Sequence, residues 1–392
     1  MTILPHWAYY PKSYNVNPVP PGIHLYNEIN GDLSKDVWRA ADWSDPFGDI
    51  QGKDSPSSQP QPALTQFKAL YDDSYLYIGA ILHPSPDVPA TQAHFVHRND
   101  PIFQKDSDFE VFIDVTGCNH QYKELELNAI NTIWNLLLDK PYRDGGVEHS
   151  GRIAQPGDPL YYDVKFQKTA VRVLQGTLND PKHGQALWSV EMALAYKDLF
   201  VTLSSSSSDD STACSKPSFL SPSPQPGDFW RINFSRVEEQ GKINWTWQPQ
   251  VVWDPEAGKF RGVIDMHAPD AYGYFYFTDN QETTAETTNR PAARDPTWPL
   301  RLTAMHIYHA QRAYFERRNN HQYASSVQDL TDLVDPAIVE PFDIYILLAG
   351  QGQEYTVLVK STENDNVATV KNDRLLVVQR FQPDMLEQFK IS

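Results

Sequence analysis

Residues 108–129 read DFEVFIDVTGCNHQYKELELNA, and their alternation decides the fold. Over 108–115, Phe109, Val111, Ile113 and Val115 fall on one face, with Asp108, Glu110, Phe112 and Asp114 on the other. Over 122–129, Leu125, Leu127 and Ala129 oppose Glu124, Glu126 and Asn128. A period of two is that of a β-strand whose two faces meet different surroundings. Working outward, Thr65, Phe67, Ala69 and Tyr71 alternate in the same way, and Asp72-Asp73-Ser74 turns the chain into a strand over 75–82. Further strands are expected at 163–174, 186–194, 230–237, 244–248 and 272–277. Many short strands, turn-rich spacers and almost no helix predict a mainly β domain, an antiparallel β-sandwich.

The pattern changes near Thr297, a candidate N-cap. Leu300, Ala304, Ile307, Gln311 and Tyr314 recur at three- and four-residue steps, which predicts a helix over 298–318. Strands are expected after it at 344–349, 355–360 and 375–379. The division read from the chain is an N-terminal extension at 1–19 and a sandwich at 20–278, followed by a linker at 279–296 and a small α+β domain at 297–392. Two polar stretches, 52–62 and 204–227, are expected as flexible insertions in the sandwich.

With 33 basic and 50 acidic residues the chain carries a formal charge of −17. A field of that sign repels phosphate backbones, so nucleic acid is excluded as a partner. No run of eighteen apolar residues is present, which excludes a helical membrane span. The first twenty residues lack a basic segment followed by an apolar one, so no secretory signal is visible and a cytoplasmic location is slightly favoured. Cys118 and Cys214 are too few for a disulfide scaffold and are expected as free thiols. Ten Trp, twenty Tyr and eighteen Phe supply flat surface of the kind that packs against the C–H faces of sugars, although most are expected in the core.

The order of segments resembles carbohydrate-binding module family 9 over residues 20–278. It begins with Gly31-Asp32-Leu33, Trp38 and Ala40-Ala41. Next come Leu70-Tyr71-Asp72-Asp73-Ser74-Tyr75-Leu76-Tyr77-Ile78, the 108–114 strand and Tyr122-Lys123-Glu124-Leu125-Glu126-Leu127-Asn128. Trp188–Met192, Trp230-Arg231-Ile232-Asn233-Phe234-Ser235-Arg236 and the Pro269-x-x-Tyr272-Gly273 step complete it. The resemblance implies a jelly-roll-like sandwich that grips a mono- or oligosaccharide, in some relatives with calcium. It also implies two clamping Trp rings, but the matching neighbourhoods here hold Phe103-Gln104 and Met266-His267. By that mapping the carbohydrate site consists of Phe103, Glu110, Asn128, Met266 and His267. Phe103 would give a ring face, Met266 an apolar wall, and the other three polar partners for hydroxyls.

Other chemistries stay open at this point. Glu110, Asp114, Glu124 and Glu126 offer carboxylate pairs of the kind a glycoside hydrolase needs. The same acids, or Asp106 with Asp108, could take calcium, although no cofactor is required and the metal is unassigned. A haem-binding redox domain would need Met266 or Met192 opposite His83, His94 or His97. His306 and His309 lie three apart on the expected helix without a visible third zinc ligand. Trp245, Trp247, Trp253 and Trp134 are either a stacking platform or core, with core favoured. The reading favoured is a non-catalytic module within carbohydrate catabolism; hydrolysis, haem redox chemistry and a decayed site serving a protein partner are the alternatives.

Overall fold

The computed structural model describes residues 4–54, 59–203, 223–279, 293–317 and 321–387. Its strands in chain order begin with β1 Ser13–Pro18, β2 Gly48–Asp49, β3 Thr65–Tyr71, β4 Tyr75–Leu82, β5 Asp108–Asp114, β6 Tyr122–Asn128 and β7 Ile133–Leu138. They continue with β8 Glu148–Ser150, β9 Lys168–Gln175, β10 Leu187–Ala195, β11 Phe229–Glu238, β12 Ile243–Thr246, β13 Val251–Asp254, β14 Lys259–Gly262 and β15 Gly273–Phe277. The last four are β16 Phe342–Ala349, β17 Glu354–Ser361, β18 Asn366–Lys371 and β19 Leu376–Arg380.

The main sheet runs β8-β7-β6-β5-β11-β15-β1-β3-β4-β10-β9, with β12 beside β11 and β2 beside β12. It folds over on itself at β1. Ser13–Val16 pair with β15, while Asn17 and Pro18 pair with β3, so one strand serves both layers. Both of those pairings are parallel and the rest of the sheet is antiparallel. Residues 13–18, read from the sequence as part of an extension, therefore supply the strand that joins the layers. The inward side chains of both layers share one core. Phe109, Val111, Ile113, Leu125 and Leu127 from one layer meet Phe67, Ala69, Ile78, Val190 and Met192 from the other. Phe67 and Phe234 stack at 4.0 Å across it. Trp245 and Trp247 are buried in the same core, as favoured. Gly273 is required where it stands, since a Cβ there would lie 2.4 Å from the Trp247 ring.

The helix Trp298–Arg317 packs Leu300, Ala304 and Ile307 onto Val357, Val359, Ala368 and Val370 of the sheet β16-β17-β18-β19. Gln311, in the same stripe, is fully buried but satisfied, because its amide bonds the backbone N–H and C=O of Ala324. No helix among the described residues is long and apolar enough to cross a membrane. Of the insertions, 204–222 lies outside the described residues, as do 55–58 and most of the expected linker, 280–292. The described end of the first insertion is seated on β12, where Gln59 accepts from Asn244 N–H and Pro60 from Trp245 Nε1. Cys118 is disulfide-bonded, which corrects the expected free thiols; sequence separation hides such neighbours, and Cys214 lies outside the described residues.

Candidate functional site

The outward face of β11-β5-β6-β7 is built from the polar half of the alternation. Cross-strand register arranges it in rows. Asp108 faces Asn128. Ser235, Glu110, Glu126 and Trp134 form the next row, then Asn233, Phe112, Glu124 and Leu136. Three carboxylates, Asp108, Glu110 and Glu126, converge, one oxygen of each lying within 4.8 Å of the others. All are at least 95% buried, because segments between strands cover the face.

The largest cover is the loop 92–107. It is held by Asp106, whose carboxylate accepts from the backbone N–H of His94 and Phe95 and from Asn128 Nδ2. Asn128 also donates to Phe95 O and accepts from Ile130 and Thr132 N–H, so its amide braces this loop. Asp106 is occupied in the same way, which removes it from the expected calcium pair with Asp108. The loop brings Phe103, half-buried, onto Trp134, with ring centroids 5.1 Å apart and planes at 22°.

A second cover, the segment 262–272, carries Met266 and His267. Met266 is buried with Ile50, Phe112 and Tyr272. His267 accepts or donates at Nδ1 to the Tyr122 hydroxyl at 3.0 Å, and its Nε2 lies 3.9 Å from Glu124 Oε2. The edge of Tyr142, exposed on the turn Tyr142–Asp144, meets the His267 ring at 4.6 Å and 77°. Phe103 and His267 thus flank the acidic row from two sides, Phe103 over Trp134 and His267 over Phe112 and Tyr122.

Burial pushes all four acids up. For Asp108 the neighbouring Glu110 and Glu238 add to it, for Glu110 the charge of Glu124, and for Glu126 those of Glu110 and Glu124. Glu124 is raised by burial and partly offset by His267. The cause is common: like charges crowded where water cannot screen them.

The C-terminal unit fixes the rim. Asp144 of the Tyr142 turn is ion-paired with Arg374 at 2.9 Å and Arg312 at 3.0 Å, and accepts from the Tyr308 hydroxyl. Asp270, three residues beyond His267, is ion-paired with Arg374 at 3.0 Å and His309 at 3.1 Å. Arg374 therefore ties both rim segments to one guanidinium. His306 is engaged elsewhere, accepting at Nε2 from Asp335 N–H, so His306 and His309 serve two different contacts. For the haem alternative, Met192 is enclosed in the sandwich core and Met266 in its own cluster, while His94 and His97 are exposed.

Tyr142, Arg374 and Asp144 were missed from sequence. Only the Pro141-to-Gly146 turn composition hinted that a loop stands there.

No protein-family model matches the chain, and no curated protein matches it. The solved structures similar to the chain include the following three. One is a provisionally assigned carbohydrate-binding protein of Bacteroides uniformis, at 14% identity and TM-score 0.44, covering 68% of this chain and 99% of that one. The others are structures of a family 9 carbohydrate-binding module from Caldicellulosiruptor kristjanssonii. The complex with cellotriose is 14% identical at TM-score 0.36 and covers 73% of this chain and 100% of that one. The complex with glucose is 14% identical at TM-score 0.37, with coverages of 70% and 100%.

Proposed function

We propose that the chain binds a saccharide, without cleaving it, at the outward face of β5 and β6. The observation that carries this reading is the flanking of the Glu110–Glu126 row by rings, Phe103 over Trp134 on one side and Tyr142 with His267 on the other. A sugar ring offers an apolar face and a rim of hydroxyls. Half-exposed aromatic rings suit the first, and carboxylate acceptors with a His donor suit the second. In this reading Phe103, Tyr142, His267 and Glu110 meet the ligand. Asn128 supports the loop that presents Phe103, and Met266 backs the wall beneath His267.

One observation favours hydrolysis instead: the closeness of Glu110 and Glu126, since retaining glycosidases hold two carboxyls about 5 Å apart. Such a pair needs its two groups driven apart, one protonated and one ionised. Here burial drives both in the same direction. Binding is therefore the reading supported. Within carbohydrate catabolism a non-cleaving protein of this kind would serve targeting or sensing.

The test is a glycan-array screen of the full chain followed by calorimetry on the hits. Saturable binding that weakens at least about tenfold (about 1.4 kcal/mol) in Phe103→Ala is expected. Failure to bind any glycan would overturn the reading and favour a decayed site with a protein partner. Turnover of chromogenic glycosides that disappears in Glu110→Gln would replace it with hydrolysis.

A further inference from the structure

We propose that the cavity between the sandwich and the helix Trp298–Arg317 is a second binding site, and that it takes a small aromatic carboxylate. The cavity measures about 230 Å³ and is bounded by residues 8–12, β13, β14, the short turn Pro269–Ala271 and the helix. An apolar cavity of about 150 Å³ takes benzene, so this one has room for a single ring with a polar substituent. Its walls are aromatic. Trp253 and Phe260 meet edge to face at 5.4 Å, Tyr9 lies on Phe260 at 4.1 Å, and Trp298 stands against Tyr10 at 5.6 Å. Trp253 and Trp298 are buried while Ala8 and Tyr9 are exposed, which puts the mouth at the N-terminal segment. Such rings suit the flat face of another ring.

Apolar walls alone would name no ligand. The second observation is a pair of buried donors that line the cavity without an acceptor, one from the sandwich and one from the helix. Arg231 is 5% exposed. Its Nη1 donates to the Tyr274 hydroxyl and its Nη2 to the carbonyls of Pro269, Asp270 and Tyr272, but Nε has no partner. His306 is 1% exposed, and its Nε2 accepts from Asp335 N–H. Burial, with His309 and His6 adding to it, lowers this histidine to about 3, so the ring is neutral and its proton sits on Nδ1. That nitrogen has no partner either. A buried donor left unpaired is costly, and an acceptor carried in by a ligand removes the cost.

Charge selects an anion. In a chain of net charge −17, the cavity is lined by Lys12, Arg231 and Arg301 against one acid, Asp270. Asp270 is answered by Arg374 and His309, Arg301 is paired with Asp295, and Lys12 Nζ donates to Trp247 O. Arg231 has no ion pair among the described residues, and its charge reaches Asp270 from farther away. A carboxylate at its Nε would accept a charge-assisted hydrogen bond. The cavity shares no residue with the proposed saccharide face, so the two sites stand or fall separately.

The test titrates the full chain with benzoate at pH 7.5 by calorimetry, with no sugar present. One saturable site per chain with a Kd of about 1 mM or tighter is expected. Benzamide has the same shape without the charge, and propionate has the charge without the ring; each should bind at least about tenfold more weakly. Arg231→Met should lower benzoate affinity by about tenfold or more, and Phe103→Ala should leave it unchanged. Tyr9→Ala alters only the exposed mouth, so it should fold as the parent does and weaken benzoate about threefold. Absence of saturable binding up to about 10 mM benzoate would overturn the proposal. Benzamide binding as tightly as benzoate would overturn it as well, because Arg231 would then not be reading charge. Should Arg231→Met fail to fold, Tyr9→Ala decides: unchanged affinity there places benzoate elsewhere and refutes the site.

Discussion

Two groups of buried acids lie on the same side of this protein in opposite electrostatic settings. Asp144 and Asp270 share Arg374, and Arg312 and His309 complete their partners. Burial would raise the carboxyl of Asp270, but Arg374, His309 and Arg231 outweigh it and hold that group well below the usual carboxylate range. Asp108, Glu110 and Glu126 are buried as deeply, and among the described residues they meet mainly one another, so they are pushed up. The first group has the hallmarks of structure: every charge is answered, and two rim segments are tied to the C-terminal unit. The second holds an unanswered charge in a rigid sheet, which is the setting of a binding site.

The largest effect is expected from breaking the answered group. Arg374→Met leaves Asp144 with Arg312 and the Tyr308 hydroxyl, and Asp270 with His309 and the more distant Arg231. Removing one partner of a buried ion pair typically costs about 3–5 kcal/mol. Chemical denaturation should show a loss of that size, with weaker saccharide binding in the fraction still folded, because the Tyr142 and His267 segments lose their common anchor. A loss below about 1 kcal/mol would mean that the pairs are solvated, and the contrast between the two groups would collapse.

A pH series sharpens the contrast from the other side. The acids of the row have raised folded pKa values, so their contribution to stability is fully present below the ordinary carboxylate range and is lost as pH rises above it. Two buried histidines at the junction with the C-terminal unit act oppositely. Burial lowers His6 to about 4, against the backbone bond to Ile338, and lowers His306 to about 3, with His309 and His6 adding to it. Their contribution is present above about 6.5 and is lost as pH falls toward 4. Between about pH 4 and 6.5 the two trends therefore oppose each other, and above about 6.5 only the loss from the acids remains, so Tm should decline on the alkaline side. In Asp108→Asn, Glu126→Gln the alkaline decline should flatten, and the rise from about pH 4 to 6.5 that the histidines drive should emerge. An alkaline limb that is unchanged in the variant would show that the row is not its source.

Much of this architecture was legible because alternation is local. It separated Phe109, Val111 and Ile113 from Asp108 and Glu110, and the structure keeps that separation. The three- and four-residue steps of Leu300, Ala304 and Ile307 gave a helix that differs by one residue at its end. What alternation cannot give is register. Glu110 meets Glu126 only because β5 and β6 pair with that offset. β1 was hidden for a related reason: its Asn- and Pro-containing stretch draws its partners from residues 70–71 and 274–277. The resemblance implied Asn128 as a partner for hydroxyls, yet its amide is taken up by a loop upstream in sequence, at Phe95 and Asp106, 33 and 22 residues away. Arg374 and Asp144 were illegible altogether, since a long-range ion pair leaves no periodic trace. β18 was missed between Asn- and Asp-rich turns, although Ala368 and Val370 are core and Val367 is fully buried.

The smallest expected change in stability separates rim from anchor. Tyr142 is 44% exposed, and its packing is an edge contact with His267. Tyr142→Ala removes little buried surface and leaves Asp144 with Arg374 and Arg312, so the unfolding free energy should stay within about 0.5 kcal/mol of the parent. If the ring is part of the saccharide surface, affinity should nevertheless fall several-fold, since aromatic contacts at a binding site carry energy that they do not lend to folding. A variant that loses stability along with affinity would show that Tyr142 belongs to the anchored group with Asp144, and the division between answered and unanswered regions would have to be drawn inside the rim itself.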